Sequence, residues 1–347
     1  MDAAGSMRAA SVDQCPLCGA DWKELYRDLS DDLFFAPGVW SIRECLNADC
    51  GLLWLDPMPF ADDLHLAYRD YYTHAVDVHV GAASAFRKIY RVLVDLILFP
   101  LGVTAQRRRA ELMFLDGEKP GRLLDIGCGP GTFLAAMRSK GWSVSGIDFD
   151  EAAVEVAREK FRLDVQVGTA DMLIGAGCHY DVVTASQVIE HVPDPVAFLR
   201  SCGELIDRNG SIMLRTPNSA SFGHKSYGRF WRGLEPPRHL HIFDLNSLKA
   251  CGSKAGLTLV DSFTSVAGAE FILGASHFLK CRGHFRKALL SPFDKLMNKL
   301  IAPILVAREA YRWRKDRWVG EELYVRFGRK VDSSGAVTSL KSINAAT

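Results

Sequence analysis

From about residue 120 onward, short apolar runs alternate with helical stretches of roughly ten to fifteen residues, and no other feature constrains the fold as strongly. "RLLDI" is followed by "TFLAAMRSKG", "SVSGI" by "EAAVEVAREKF", and "LDVQVG" closes the first half. "YDVVTAS" precedes "DPVAFLRSCGELI", "GSIMLRT" comes next, and after an irregular stretch "LNSLKACGSKAG" leads into "LTLVDSFTS". Strands joined through helices of that length lie parallel in one sheet, with the helices packed on its faces. A last strand is expected in "EELYVRFGRK", at 321–330.

The first junction of this pattern, "RLLDIGCGPGTF", places Gly127, Gly129 and Gly131 within five positions behind Asp125. Such spacing implies an approach to the backbone closer than a Cβ permits. A phosphate-cradling G-x-x-x-x-G-K-[ST] loop is excluded, because no lysine follows. A dinucleotide fingerprint needs G-x-G-x-x-G, whereas this junction reads D-x-G-x-G-x-G with Pro130 between the last two glycines. An acid at the strand end suits a ligand with positive charge. S-adenosylmethionine has that character: an ammonium, a sulfonium and an adenosine, with no phosphate. Asp148, in "GIDFD", ends the second strand, where a carboxylate accepts both ribose hydroxyls. Asp171, in "GTADML", follows the third, where an acid accepts from the adenine amino group. Each alone would read as a helix cap or a solvated turn. Three at successive strand ends point to one nucleoside site, to which the adjoining Phe149 and Met172 are also assigned.

From about 105 to 265 the chain resembles class I S-adenosylmethionine-dependent methyltransferases, through "LLDIGCGPGTF", "GIDFD", "GTADM" and "VVTASQVIEHVPDP". The resemblance implies a Rossmann-like α/β fold, a seven-stranded methyltransferase sheet with helices on both faces. It assigns the methionine part to Asp125 and the glycine loop, the ribose to Asp148 and the adenine to Asp171. It also runs the segment after the fourth strand along the cofactor, placing Gln187 and Ile189 near it. Glu190 and His191 either order the loop before a helix at Asp194 or take part in catalysis. Cys128, inside the glycine loop, is counted with the cofactor contacts as a small residue that fits.

Methyl transfer is an in-line displacement, so the enzyme positions the nucleophile and removes its proton. Histidine titrates in the right range, and candidates must lie past the C-terminal edge of the sheet. "NSASFGHKSYGRFWRGLEPPRHLHIFD" supplies His224 and, behind Pro236–Pro237, His239 and His241. The stretch resembles the P-x-H-x-x-x-F segment of a methyltransferase branch from sugar and polysaccharide pathways, some of whose C-methyltransferases use a Glu–His pair. His239 matches that histidine while Arg238 stands where the glutamate would be, which favours O- or N-methylation. His239 is the expected base and His241 the second candidate; the alternative is that both only hold the lid.

Nine cysteines without an apolar leader in "MDAAGSMRAASVDQ" point to a reducing compartment, where clustered cysteines mean metal before disulfides. Cys15 and Cys18 in "CPLCG", then Cys45 and Cys50 in "CLNADCG", fit a structural zinc site of four thiolates. Similar zinc-ribbon segments, followed by a stretch like "GLLWLDPMPFADDLHLAYRDYY", precede the methyltransferase domain in the polysaccharide branch. Zinc ribbons also bind nucleic acid. Against that stand the formal charge of +1, the acidic "DWKELYRDLSDDLFF", and "SQVIEH" where base methyltransferases carry an Asn/Asp-Pro-Pro-aromatic tetrad.

Two greasy, basic segments are read as helices: 86–101, with Lys88, Arg91 and Asp95 on one narrow face, and 291–315, capped by Ser291 and carrying Pro303. They either cover the active site or lie on anionic lipid. No apolar run reaches the roughly 18 residues that span a bilayer. The expected organisation is a zinc-ribbon segment at 1–55, a helical linker or cap at 56–116, a methyltransferase domain at 117–330 with a helical insert at 265–318, and a disordered tail at 331–347. The expected protein is cytoplasmic, with peripheral contact at the inner face of the membrane. It methylates a small-molecule acceptor, by resemblance a sugar or glycan-linked substrate of polysaccharide or secondary metabolism. A quinone or phenol O-methyltransferase is the enzyme alternative, and a non-catalytic S-adenosylmethionine-binding regulator or a nucleic-acid-binding zinc protein the alternative of another class. Oligomeric state is open.

Overall fold

The computed structural model describes residues 7–68, 90, 92, 94–175, 177–285 and 291–330. It opens with short β1 (Ala9–Ala10), then β2 (Trp22–Leu29), β3 (Trp40–Cys45), β4 (Leu53–Asp56) and β5 (Met58–Pro59), which pairs back onto β1. A 3-10 helix, Ala61–Tyr68, follows. The stretch read as helical from residue 55 therefore opens as strand. Leu53, Trp54 and Leu55 are all buried, which suits a strand covered on both faces, and Pro57 and Pro59 each remove a donor a helix would need. Residues 94–98 are helical, while 86–89, 91 and 93 lie outside the described residues, as does 331–347.

After α1 (Val103–Ala110) the expected alternation follows: β6 (Arg122–Ile126), α2 (Thr132–Ser139), β7 (Ser143–Asp148), α3 (Glu151–Phe161), β8 (Val165–Val167), β9 (Tyr180–Ser186), α4 (Pro195–Leu205) and β10 (Ile206–Pro217). α5 (Phe222–Tyr227), β11 (His241–Ile242), α6 (Leu245–Lys254), β12 (Leu257–Ser265), α7 (Ala269–Arg282), α8 (Pro292–Lys315) and β13 (Glu322–Arg329) complete the chain. Seven strands form one sheet in the order β12-β13-β10-β9-β6-β7-β8. β7, β8, β9 and β10 join β6 in parallel, and β13 runs antiparallel to both its neighbours. Antiparallel neighbours need no crossover helix, so the β12–β13 connection is free to hold α7 and α8.

Successive residues of each strand supply opposite faces. Leu123, Met213 and Tyr324 pack with Met137, Trp142 and Val154 on the side of α2 and α3. Leu124, Leu214 and Val325 pack with Leu199 of α4 and Leu248 of α6 on the other. That second face also receives Trp54, Cys15 and Cys50 from the N-terminal segment, so the two parts share one core. They also share a sheet, ordered β11-β4-β3-β2, in which His241 and Ile242 pair with Trp54 and Leu53. The expected boundary at 55 falls inside β4, and in space the unit is closed by a strand from residue 241 onward. No described helix is long and apolar enough to cross a membrane.

Candidate active site

Asp125 and Asp148 stand at the C-terminal ends of adjacent strands β6 and β7, both buried. Asp125 accepts a hydrogen bond from Thr184 Oγ1 at 2.6 Å. Burial nevertheless raises its carboxyl to about 7, with the Asp148 charge adding to the rise. Asp148 accepts from the N–H groups of Gly129, at 2.7 Å, and Asp150, at 2.9 Å; these bonds oppose the upward push of burial. Asp150 caps α3 and Asp194 caps α4. Asp148 is therefore not the helix cap that a lone strand-end aspartate would be.

The three glycines have different reasons. At Gly127 (φ +73°) a Cβ would lie 2.5 Å from Val188 Cγ2, and at Gly131 (φ +75°) 2.5 Å from Leu163 Cδ1 and 2.9 Å from Ala157 Cβ. The protein's own packing excludes side chains there. Only at Gly129 is the space beyond open, with nothing within 4 Å. Beside it Phe149 and Met172 are 64% and 66% exposed, two large apolar side chains left at the strand ends next to the exposed Asp171. Gln187 sits at φ +58° and donates its N–H to the Arg215 carbonyl at 2.7 Å. Ile189 is in the core instead, 1% exposed. Cys128 is buried, and burial together with the charges of Asp125 and Asp148 raises its thiol, which suits a filler rather than a nucleophile. The donors, acids and apolar flanks fit a cationic nucleoside.

The stretch after β9 and the loop before β11 converge beside this socket. Glu190, His191 and His239 each bring one donor atom to within 4.8 Å of the others, a set that would also fit a metal cation. His239 Nδ1 lies 2.7 Å from the Gly233 carbonyl, which only accepts, so the proton is on Nδ1 and Nε2 keeps its lone pair. His191 Nδ1 faces the Arg238 carbonyl at 3.0 Å in the same way. Burial lowers His191 to about 4 and holds His239 well below its ordinary value, so both rings are neutral near pH 7. Glu190 accepts from Thr216 Oγ1 at 3.0 Å through one oxygen, the other has no hydrogen-bond partner among the described residues, and burial raises its carboxyl to about 7.

Sequence reasoning missed four contributors. Tyr68, at the end of the 3-10 helix, places its hydroxyl 3.0 Å from His191 Nδ1 and its ring edge-on to Phe149 at 5.9 Å, covering cofactor side and histidine side together. Arg238, fully buried, donates to both oxygens of Asp31 at 2.8 Å, to Glu235 Oε1 at 2.9 Å and to the Ala67 carbonyl at 2.9 Å. Glu235 in turn lies 3.6 Å from His239 Nε2. Arg238 thus clamps the N-terminal segment, the 3-10 helix and the histidine loop, while Glu235, three residues upstream, supplies the acid beside His239. The only signal in the sequence was the misfit of Arg238 with the Glu–His pattern.

The remaining histidines lie apart. His241 is fully buried in β11, with neither ring nitrogen hydrogen-bonded among the described residues. His224 stacks on Trp231 and bonds Tyr26 Oη at 3.0 Å. Past the ends of β10 and β12 a cavity of about 470 Å³ is walled by Arg107, Arg215, Glu270, Asn298, Ala302 and Glu322.

The four N-terminal thiols form a second candidate centre. Their sulfurs lie within 4.8 Å of one another, with Cys15–Cys50 at 3.8 Å and Cys18–Cys45 at 3.4 Å. Sulfurs around a tetrahedral zinc are about 3.8 Å apart, so the set fits. Gly19 (φ +75°) and Gly51 (φ +63°) follow the second cysteine of each pair, and a hydrogen bond from the Cys50 thiol, aided by the Leu17 and Cys18 N–H groups, lowers Cys15.

A family of methyltransferase domains matches residues 103–262, outside the thiol cluster and α7–α8. The ubiquinone biosynthesis O-methyltransferase of Stutzerimonas stutzeri (strain A1501) is 38% identical over 166 residues, covering 44% of this chain and 69% of that protein. Its counterpart in Pseudomonas aeruginosa (strain LESB58) is 39% identical over 103 residues, 28% of this chain and 44% of that protein. The chain thus spans about two thirds of the first relative and less than half of the second. Among solved structures, an S-adenosylmethionine-dependent methyltransferase from Archaeoglobus fulgidus aligns with a TM-score of 0.41 at 18% identity, covering 71% of this chain and 99% of that one.

Proposed function

The chain belongs to the methyltransferase-domain family and is an S-adenosylmethionine-dependent methyltransferase, and from that premise we propose that it methylates a hydroxyl of a small phenol- or quinone-type acceptor. The observation that carries this reading is the pair of neutral imidazoles, His191 and His239, each with Nδ1 on a backbone carbonyl so that Nε2 keeps its lone pair, at the rim of the sheet beside the nucleoside socket. The names of the relatives support a phenolic acceptor over the sugar expected from the ribbon resemblance.

When bound, the cofactor supplies an electrophilic methyl on a sulfonium centre. Asp125 and the backbone at Gly129 would hold its methionine part, Asp148 the ribose, and Phe149, Met172 and Asp171 the adenine. Tyr68 would close over the nucleoside and exclude water. The acceptor hydroxyl gives its proton to Nε2 of the histidine pair, with His239 as the proposed base and His191, the more exposed ring, beside it. The rings lie 4.8 Å apart, so only one of the pair is imidazolium at a time. A transient imidazolium is stabilised by Glu235. His241, buried in the seam with the ribbon, has no part in this step.

The four thiolates are proposed to hold structural zinc, closed to substrate by its four sulfur ligands. α7 and α8 are proposed to cap the acceptor side. The second reading, a sugar or glycan-linked acceptor, is favoured by one observation, the polar lining of the cavity. An acceptor with an isoprenoid tail resides in lipid, so the first reading requires a cytoplasmic chain that meets the inner face of the membrane.

Transfer from labelled S-adenosylmethionine to a catechol probe and to a hexose probe separates the two. Methylated catechol from the parent, lost in His239→Ala, is expected. Hexose methylation alone would replace the first reading by the second, and binding of cofactor with no transfer to any acceptor class would favour a regulator.

A further inference from the structure

A surface helix buries one face and normally turns polar side chains outward. α8 does the first and not the second. Val306 and Ala310 are buried against α7 and the 94–98 helix, yet Phe293, Leu296, Leu300 and Ile304, spaced three and four apart, run down the outer face more than half exposed. The neighbouring segment repeats the pattern. Val94 and Leu98 are buried, while Leu96, Ile97 and Phe99 are 66%, 63% and 72% exposed. The two segments lie side by side in the same direction: Tyr90 Oη donates to the Lys299 carbonyl at 2.6 Å, and Arg314 Nη2 to the Pro100 carbonyl at 2.5 Å. Their outward side chains therefore form one apolar surface, larger than the scattered leucines of an ordinary exterior.

One end of that surface is cationic. Arg308, Arg312, Arg314, Lys315 and Arg317 are exposed over the last turns of α8 and just beyond. Two of them set their guanidinium groups over aromatic rings, Arg312 over Phe222 at 5.9 Å and Arg317 over Trp313 at 3.8 Å, which fixes the charge at that end of the helix. Among Arg308, Arg312, Arg314, Lys315 and Arg317 only Asp316 is an exposed acid, so this end of the surface keeps a net positive charge. A face of large apolar side chains ending in arginines and lysines matches the acyl boundary and anionic headgroups of a bilayer.

We propose that the face shared by residues 94–99 and α8 docks the chain on the surface of an anionic lipid bilayer. α8 contributes Asn298 and Ala302 to the wall of the cavity and leaves Leu300 and Ile304 exposed, so the cavity lies directly behind the docked face. This deepens the reading of a membrane-borne acceptor, and its test does not depend on turnover.

The full-length chain is sedimented with vesicles of phosphatidylcholine alone and of phosphatidylcholine mixed with phosphatidylglycerol. Binding to the mixed vesicles should be about tenfold tighter and should weaken with salt. Leu96→Asp combined with Ile304→Asp should abolish it, and Arg312→Glu with Lys315→Glu should remove the anionic preference. These positions are exposed, so melting temperature and affinity for S-adenosylhomocysteine should stay at parental values. Equal binding to both vesicle types, parental binding by the apolar double variant, or conversion of a dimer to a monomer by that variant with lipid binding unchanged would each overturn the proposal. Loss of S-adenosylhomocysteine binding in the parent would instead strike the cofactor reading and leave the docking surface standing.

Discussion

A carboxyl group buried at Asp125 and held at about 7 makes cofactor recognition a titration. The ammonium of the ligand's amino-acid part binds the ionised form, so below pH 7 each unit of acid should weaken S-adenosylhomocysteine binding by up to about tenfold, with a plateau above. Calorimetry across pH 5.5–8.5 checks this, and Asp125→Asn should bind weakly at every pH. The proposed base, His239, and its neighbour His191 run the other way. With His191 depressed to about 4 and His239 depressed as well, both stay neutral through this range and add no titration of their own to kcat at saturating cofactor, while kcat/KM for cofactor falls as the pH drops. His239→Ala should lower kcat by about 10²–10⁴-fold and leave cofactor affinity unchanged. The places of Asp125, Asp148 and His239 could be read from the sequence because each sits at a fixed offset from a strand end or a proline pair. Tyr68, Glu235 and Asp31 could not, since Arg238 joins Asp31, Glu235 and the Ala67 carbonyl, and Tyr68 reaches His191, with no local pattern. Replacing Arg238 with Met leaves two buried carboxylates without it and should cost about 3–5 kcal/mol in urea unfolding, whereas Arg238→Lys keeps the charge and should lose less.

Among the elements, the βαβ alternation was legible because buried runs and amphipathic helices carry different periods. β11 was not: two residues in an irregular stretch have no period, and only the unpaired edge of β4 gives them a place. The glycine loop illustrates a different limit. Spacing announced a close approach, but the neighbour at Gly131 is the α3–β8 corner rather than a ligand. Gly131→Ala, forced against Leu163 and Ala157 at φ +75°, should therefore lower stability by about 2–3 kcal/mol even without cofactor. The thiol cluster makes its own prediction at this scale. One zinc per chain should be released by a thiol-reactive mercurial, and Cys50→Ser should lower both the zinc content and the melting temperature.

At the scale of the whole molecule, the N-terminal segment and the methyltransferase sheet are one body with a shared core, a shared salt-bridge clamp and a shared four-stranded sheet. Cutting away the first sixty residues should therefore give an insoluble chain rather than a trimmed enzyme, measurable as loss of soluble expression against the full-length control. The sheet that β11 completes also sets a timetable for biosynthesis. Strands made first must wait, edge unfilled, until residue 242 clears the ribosome, so the head of this polypeptide matures only after most of its body has been translated.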